Sequence, residues 1–327
     1  MTALWPNPLI EQRADPFILR YQDRYYFIAS VPEYDRLELR CAGTILELAQ
    51  AEAVVIWRKP DVGPQSALIW APEIHYINGQ WVIYFAAAPS REIKAGLFQH
   101  RMYALTCDDA DPLSGRWEDR GRIQTPLDSF SLDATTFQHQ DKQWYLWAQK
   151  DPAIPGNSNL YLAELENPWT LKGKPVMLSR PEYEWECAGF SVNEGPAAIF
   201  HGQRLFISYS ASATDENYCL GLLWIDINED PLQPARWNKS ARPVFTTSWE
   251  NRQYGPGHNS FTVDEAGNDL LVYHARNYTE IEGDPLWDPN RHTRIKTIRW
   301  DAGGMPDFGV PPADTAAELH QRAVNSE

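Results

Sequence analysis

Carboxylic acids recur at one position of a sequence repeat. Asp15 opens "DPFILRYQDRYYFIAS", Asp133 opens "DATTFQHQDKQWYLWAQ" and Glu194 opens "EGPAAIFHGQRLFISYS". Two further copies begin at Ala71 ("APEIHYINGQWVIYFAA") and His258 ("HNSFTVDEAGNDLLVYHA"). An ionisable group at the head of an apolar run needs a partner or a task, because burying an unpaired charge is costly. Singly, each acid has an ordinary explanation: Asp15–Pro16 as a turn, Asp133 as a loop cap after "SFSL", Glu194 as an exposed bend before Gly195–Pro196. Three unrelated turns would not put acids at one repeat position, so the set points to a shared site. Its chemistry is that of glycosidic bond cleavage. One protonated carboxyl donates to the leaving oxygen, and one ionised carboxylate activates water or attacks the sugar. A third acid can hold and tune the donor. Neither the roles nor the separation of the groups is set by the residue types.

The elements that must position these groups are hairpins. Each copy is a short apolar segment, a polar turn and a run of aromatic and β-branched residues, with starts 56, 62, 61 and 64 residues apart. The turns "YQDR", "YINGQ", "HQDKQ", "FHGQR" and "DEAGN" carry the Gly, Asn and Asp that hairpins use. Five hairpins at even spacing predict an all-β, five-bladed β-propeller, with matched positions converging on one end of the central channel. A two-sheet sandwich would not require the even repeat. Helix is expected to be scarce: a turn or two in "TILELAQAEAVV" (44–55), and a weak helix or frayed end from about residue 313. Before that tail, "RIKTIRWDAGGMPDFG" reads as a last strand and turn closing the ring near the N-terminus. No Pro/Ser-rich linker divides the chain, which is expected to form a single domain over residues 1–327.

Composition narrows the partners. A formal charge of −15 argues against nucleic acid and anionic membrane surfaces, and 43% hydrophobic with 13% aromatic residues suits a strand-rich fold. Cys41, Cys107, Cys187 and Cys219 show no metal or redox spacing and are expected as reduced, mostly buried thiols. The opening "MTALWPNPLIEQRADPF" lacks a signal-peptide pattern, and no apolar run reaches membrane-spanning length, so a cytoplasmic address is expected. Phosphate-binding, zinc-protease and nucleophile-elbow motifs are missing.

In combination, "ADPF", "WAPEIHY", "SLDATTF", "VNEGPA", "YSASATDENYCLGLL", "GPGHNSF" and "DPNRHTR" resemble glycoside hydrolase family 43. These are five-bladed propeller enzymes acting on arabinose- and xylose-containing polysaccharides, and the resemblance covers nearly the whole chain. Within the family it is most similar to exo-acting α-L-arabinofuranosidases, including those for α-1,5-linked arabino-oligosaccharides. The resemblance implies inversion, with Asp15 as general base, Glu194 as general acid and Asp133 tuning and orienting the acid. It implies no required cofactor. His258 matches a histidine that in many members sits by a channel cation, often calcium, mainly through water; a neutral hydrogen-bonded histidine is the alternative. Trp70 is expected to pack on the pentose, and Arg276, Asn159 and His292 to contact the sugar, with a blade-packing role for Trp70 and an ion pair for Arg276 as alternatives. A β-xylosidase, an endo-arabinanase and a non-catalytic sugar-binding propeller are the rival functions.

Overall fold

Each hairpin read from the sequence forms, and each gains outer strands to make a blade. The computed structural model describes residues 5–315. Blade I contains β1 (Ala14–Tyr21), β2 (Arg24–Ser30), β3 (Arg36–Ala42) and β4 (Val54–Arg58). Blade II contains β5 (Ala67–Ile77), β6 (Gln80–Ala88), β7 (Arg101–Cys107) and β8 (Glu118–Arg122). Blade III follows with β9 (Ser131–His139), β10 (Lys142–Gln149), β11 (Asn159–Asn167) and β12 (Thr170–Ser179). Blade IV has β13 (Asn193–His201), β14 (Arg204–Ala211), β15 (Cys219–Asp226) and a short β16 (Asn238–Lys239). Blade V has β17 (Tyr254–Val263), β18 (Asp269–Arg276) and β19 (His292–Thr297), followed by a ribbon of β20 (Arg299–Trp300) and β21 (Pro306–Asp307).

Every blade is an antiparallel meander. Turn chemistry sets its register: Asn78–Gly79 and Gln140–Asp141 have positive φ at both central residues, as a type I′ hairpin demands. The first strands β1, β5, β9, β13 and β17 touch their neighbours in that order, and β17 returns to β1, so they line the axis of a closed ring of five. Between blades the aromatic residues of the second strands make the core. Trp81, Trp144, Trp147, Tyr84, Tyr145, Phe206 and Tyr273 are all fully buried.

The ring is latched at blade V. Leu9 N–H donates to Thr293 O (2.9 Å) and Thr293 N–H to Ile10 O (2.9 Å), so the N-terminal segment bonds to β19 where a fourth strand would lie. Fully buried Arg294 ties both chain ends to this seam, donating to Asn7 Oδ1 (3.0 Å), Ala275 O (3.0 Å) and Asp314.

Some expectations need correction. The tail is pinned through Thr315, with Thr315 N–H on Asn7 O (2.8 Å) and Asn7 Nδ2 on Ala313 O (3.2 Å); the rest of the expected helix or frayed end lies outside the described residues. The segment 44–55 does give one 3₁₀ turn, Leu46–Ala49, within the turn or two expected, but its last two residues already belong to strand β4. All four cysteines are free, but only Cys107 and Cys219 are buried; Cys41 is half-buried and Cys187 exposed.

A one-residue correction applies to the repeat itself. Asp15, Ala71, Asp133, Gly195 and His258 all have φ between 42° and 58°, and each lies in a register shift of its innermost strand. The structural equivalent of Asp15 and Asp133 in blade IV is therefore Gly195, and Glu194 stands one residue before it. This β-bulge repeated five times turns side chains into the channel mouth.

Candidate active site

The bulges also aim their backbone amides around the ring. Ala71 N–H donates to Ser30 Oγ of blade I (2.8 Å), His258 N–H to Ser210 Oγ of blade IV (2.7 Å), Gly195 N–H to Asp133 Oδ2 of blade III (3.0 Å) and Asp15 N–H to His274 Nδ1 of blade V (3.0 Å). Four of the five innermost strands, all but that of blade III, are thus fixed to the preceding blade at the height where the acids sit.

Asp15 is buried and well supplied with partners. Its Oδ2 accepts from the Ser30 hydroxyl (2.6 Å), while Oδ1 faces His258 Nδ1 (3.3 Å), His274 Nδ1 (3.4 Å) and Arg291 Nη1 (3.6 Å). Burial alone would push its carboxyl up, but His258, Arg291 and His274 outweigh that and hold it well below the usual carboxylate range. Burial lowers His258 and takes His274 down to about 3, so both imidazoles are neutral near pH 7. The standing cation beside Asp15 is Arg291.

Glu194 lies in the opposite situation. It is half-buried, and the Tyr218 hydroxyl donates to its Oε1 (2.8 Å). Burial raises it to about 7; the Tyr218 bond and Arg291 oppose the rise, and the charge of Asp15 adds to it. Asp133 is raised well above its ordinary value by burial and then by the charges of Glu194 and Asp15, against the Gly195 N–H bond. Through that bond Asp133 grips the peptide that follows Glu194. Gly195 is required there twice over. Its φ is +53°, and a Cβ would come within 3.1 Å of the His258 ring. Gly257 likewise makes a slot for Tyr218, since a Cβ there would lie 2.3 Å from the tyrosine ring.

Buried Glu186 shows what a structural acid looks like here. It accepts from Glu182 N, Tyr183 N, Asn193 Nδ2, Tyr209 OH and Lys239 Nζ at 2.7–3.0 Å, and despite burial these partners hold its carboxyl low. Among the described residues Glu194 has no such set, which suits it to carry a proton.

Asp15, Asp133, Glu194, His258 and Trp70 all line one pocket of about 190 Å³. That is below the roughly 300–1,000 Å³ of drug-sized clefts, so the space suits one sugar ring. Trp70 stacks one indole face on His100 (centroids 3.7 Å, 20°), and its buried Nε1 has no hydrogen-bond partner among the described residues.

Three expected sugar contacts are elsewhere. Arg276 is buried with its donors occupied: Nε on Asp288 Oδ1 (3.0 Å), Nη1 on Thr214 O (2.6 Å) and Nη2 on Pro285 O (2.6 Å). It is the structural ion pair, staking two pocket loops in place. Asn159 is buried at the start of β11, where it pairs with Gln149, and His292 accepts from Gln12 N–H (2.9 Å) at the ring seam; neither lines the pocket. The arginine that does reach it is Arg291, one residue before His292 in "DPNRHTR", and Tyr218 comes from "DENYCL". In the sequence, nothing in residue type separates Arg291 of "DPNRHTR" from Arg276, which follows the fifth hairpin.

Calcium takes six to eight oxygen ligands. Around His258 one oxygen of each of Asp15 and Asp133 is bonded, to Ser30 and Gly195, and no group of three or more His, Cys, Asp and Glu is arranged for a metal among the described residues. The described residues do not form a direct calcium cage.

The family model described as glycosyl hydrolases family 43 matches residues 5–306. The chain is 53% identical to an extracellular exo-alpha-(1->5)-L-arabinofuranosidase of Streptomyces avermitilis, covering 99% of this chain and 67% of that protein. It is 50% identical to a protein of the same name from Streptomyces chartreusis, covering 86% of each. The crystal structure of an alpha-L-arabinofuranosidase from Lactobacillus brevis superposes with a TM-score of 0.94 at 55% identity, covering 95% of this chain and 98% of that one. The cytoplasmic expectation is overturned, since both Streptomyces relatives are named extracellular and point to secretion. Composition and charge carry no signal for compartment, and the first residues of this chain decide nothing about a leader.

Proposed function

We propose that the chain, which belongs to glycosyl hydrolases family 43, removes terminal α-L-arabinofuranosyl residues from α-1,5-linked arabino-oligosaccharides with inversion at the anomeric carbon. The carrying observation is the split between its acids: Asp15 is held ionised while Glu194 is raised to about 7 in the same pocket. Two carboxyls pushed apart in this way can take opposite roles.

Asp15, ionised and oriented by Ser30 and Arg291, accepts a proton from the water that attacks C1 of the bound sugar. Glu194, protonated, gives its proton to the departing glycosidic oxygen as the C1–O bond breaks. Water oxygen becomes the new anomeric hydroxyl on the opposite face, and exchange with solvent resets both acids. With Tyr218 bound to Oε1, Oε2 is left to carry the transferred proton. Asp133 orients the acid through the Gly195 peptide. Trp70, braced by His100 on one indole face, supplies apolar wall to the sugar pocket. A pocket for one ring favours exo action over endo-arabinanase cleavage, and relatives at 50–55% identity favour arabinofuranoside over β-xyloside.

The experiment is turnover of an aryl α-L-arabinofuranoside beside an aryl β-D-xylopyranoside. Preference for the arabinofuranoside is expected; preference for the xyloside would overturn the substrate assignment, and turnover of neither would favour a binding protein.

A further inference from the structure

The loops on the active-site face are uneven. The second-to-third strand connections span residues 31–35, 89–100, 150–158, 212–218 and 277–291 in blades I to V. The shortest, over blade I, lies between the two longest, from blades II and V. Those two meet above it. Arg91 of the blade II loop holds its guanidinium carbon 4.9 Å from the ring centre of Trp287 in the blade V loop. Trp287 in turn packs edge-on against Tyr34 of the short loop (5.9 Å, 61°).

Both loops are braced from below. Tyr34 OH donates to Leu286 O (2.7 Å) and accepts from Arg291 Nη2 (2.9 Å). Arg276 secures Pro285 and Asp288, and Asp284 caps the turn at Leu286 N (2.9 Å). In blade II a small hairpin, Lys94 to Leu97, turns through positive φ at Ala95 and Gly96 and presents Leu97 and Phe98 to the pocket. Across the mouth, backbone bonds join the blade III loop to the segment before blade IV (Asn157 N–H on Ser191 O, 2.8 Å) and that segment to the blade IV loop (Ala213 N–H on Ala188 O, 2.9 Å), and Phe190 of that segment stands 55% exposed at the pocket lip.

We infer that the Arg91–Trp287 contact is a clasp that shuts the pocket over blade I and so confines cleavage to chain ends. The inference rests on the exo-acting reading above and names the residues responsible for it. Asp15 belongs to blade I, beneath the clasp, and Glu194 to blade IV, on the open side. The terminal sugar then points its non-reducing end at the clasp, and the rest of the chain leaves past Glu194 and Phe190. A chain continuing in the other direction would run into Trp287. Neither Arg91 nor Trp287 lines the pocket, so opening the clasp leaves the reacting groups in place.

The test is analysis of the initial products by chromatography at low conversion, before released oligosaccharides are cut again, using linear α-1,5-arabinohexaose with the wild type, Arg91→Ala and Trp287→Ala. An exposed cation–π pair favours the closed arrangement only a few-fold. The Arg91→Ala variant is expected to raise the share of di- and trisaccharide products about two- to five-fold. Trp287→Ala also loses the packing on Tyr34 and is expected to raise it on the order of tenfold. Aryl α-L-arabinofuranoside turnover, which reports folding and intact chemistry, should stay within about two-fold of wild type. Arabinose and arabinopentaose as the only initial products of both variants, with aryl turnover intact, would overturn the clasp. So would di- and trisaccharides as main products of the wild type. A wild type inactive on both substrates would instead overturn the proposed activity, and the clasp's role with it.

Discussion

Tyr218→Phe removes one hydroxyl and keeps the ring in its slot beside Gly257, stacked on His274. The hydroxyl it removes donates to Glu194 Oε1 at 2.8 Å and opposes the burial that raises that acid to about 7. A hydrogen bond to an ionised acceptor contributes about 1.5–3 kcal/mol and to a neutral one about 0.5–1.5 kcal/mol. The bond therefore favours the carboxylate by roughly 1–1.5 kcal/mol, or about one pKa unit. A general acid works only while protonated, so raising its pKa extends activity to higher pH. The alkaline limb of kcat/KM, set by the free enzyme, is expected to move up by about one unit in Tyr218→Phe. The measurement is a pH–rate profile on an aryl α-L-arabinofuranoside for both proteins. An unmoved limb would refute Tyr218 as the tuning partner. A limb moved to lower pH would refute the sign of the whole electrostatic account.

Three other perturbations probe separate parts of the structure. Gly195→Ala forces a Cβ into positive φ, at about 1–2 kcal/mol, and against the His258 ring; kcat should fall by at least about tenfold while the circular dichroism spectrum is unchanged. Glu194→Gln should abolish turnover of substrates with poor leaving groups and also stabilise the fold at alkaline pH. A carboxyl raised from 4.5 to about 7 on folding costs stability as pH climbs through that window. Urea midpoints should thus show a gain on the order of 1–3 kcal/mol at pH 8 that vanishes near pH 4. Arg294→Ala leaves Asp314 and the Asn7 seam without their buried partner, and is expected to lower stability by about 3–5 kcal/mol in the same assay.

The blades were legible because each inner hairpin declares itself twice, by turn chemistry and by its apolar run. The outer strands were not: "EDRGR" of β8 and the two residues of β16 have no strand-like pattern and owe their pairing to the strand inside them. Asp15, Asp133 and His258 could be placed from the repeat because the bulge falls on them. Glu194 looked equivalent only because Gly195, the true bulge residue, has no side chain to mark the position. Ser30, Tyr218, His274 and Arg291 come from second strands and loops, where chain folding rather than spacing brings them to the acids. Arg276 and Arg291 differ in what their guanidinium groups touch, and that depends on loops whose course no local pattern reveals. Compartment has no signature in the residues of this fold at all.

The division of labour between Asp15 and Glu194 makes one directly observable demand, on the configuration of the released sugar. A proton NMR time course with linear α-1,5-arabinotriose, read before mutarotation, reports it. Arabinose appearing first as the β-anomer, one unit at a time, is the predicted result. Arabinose appearing first as the α-anomer would mean retention, and would contradict the assignment of Asp15 as base to water and Glu194 as acid.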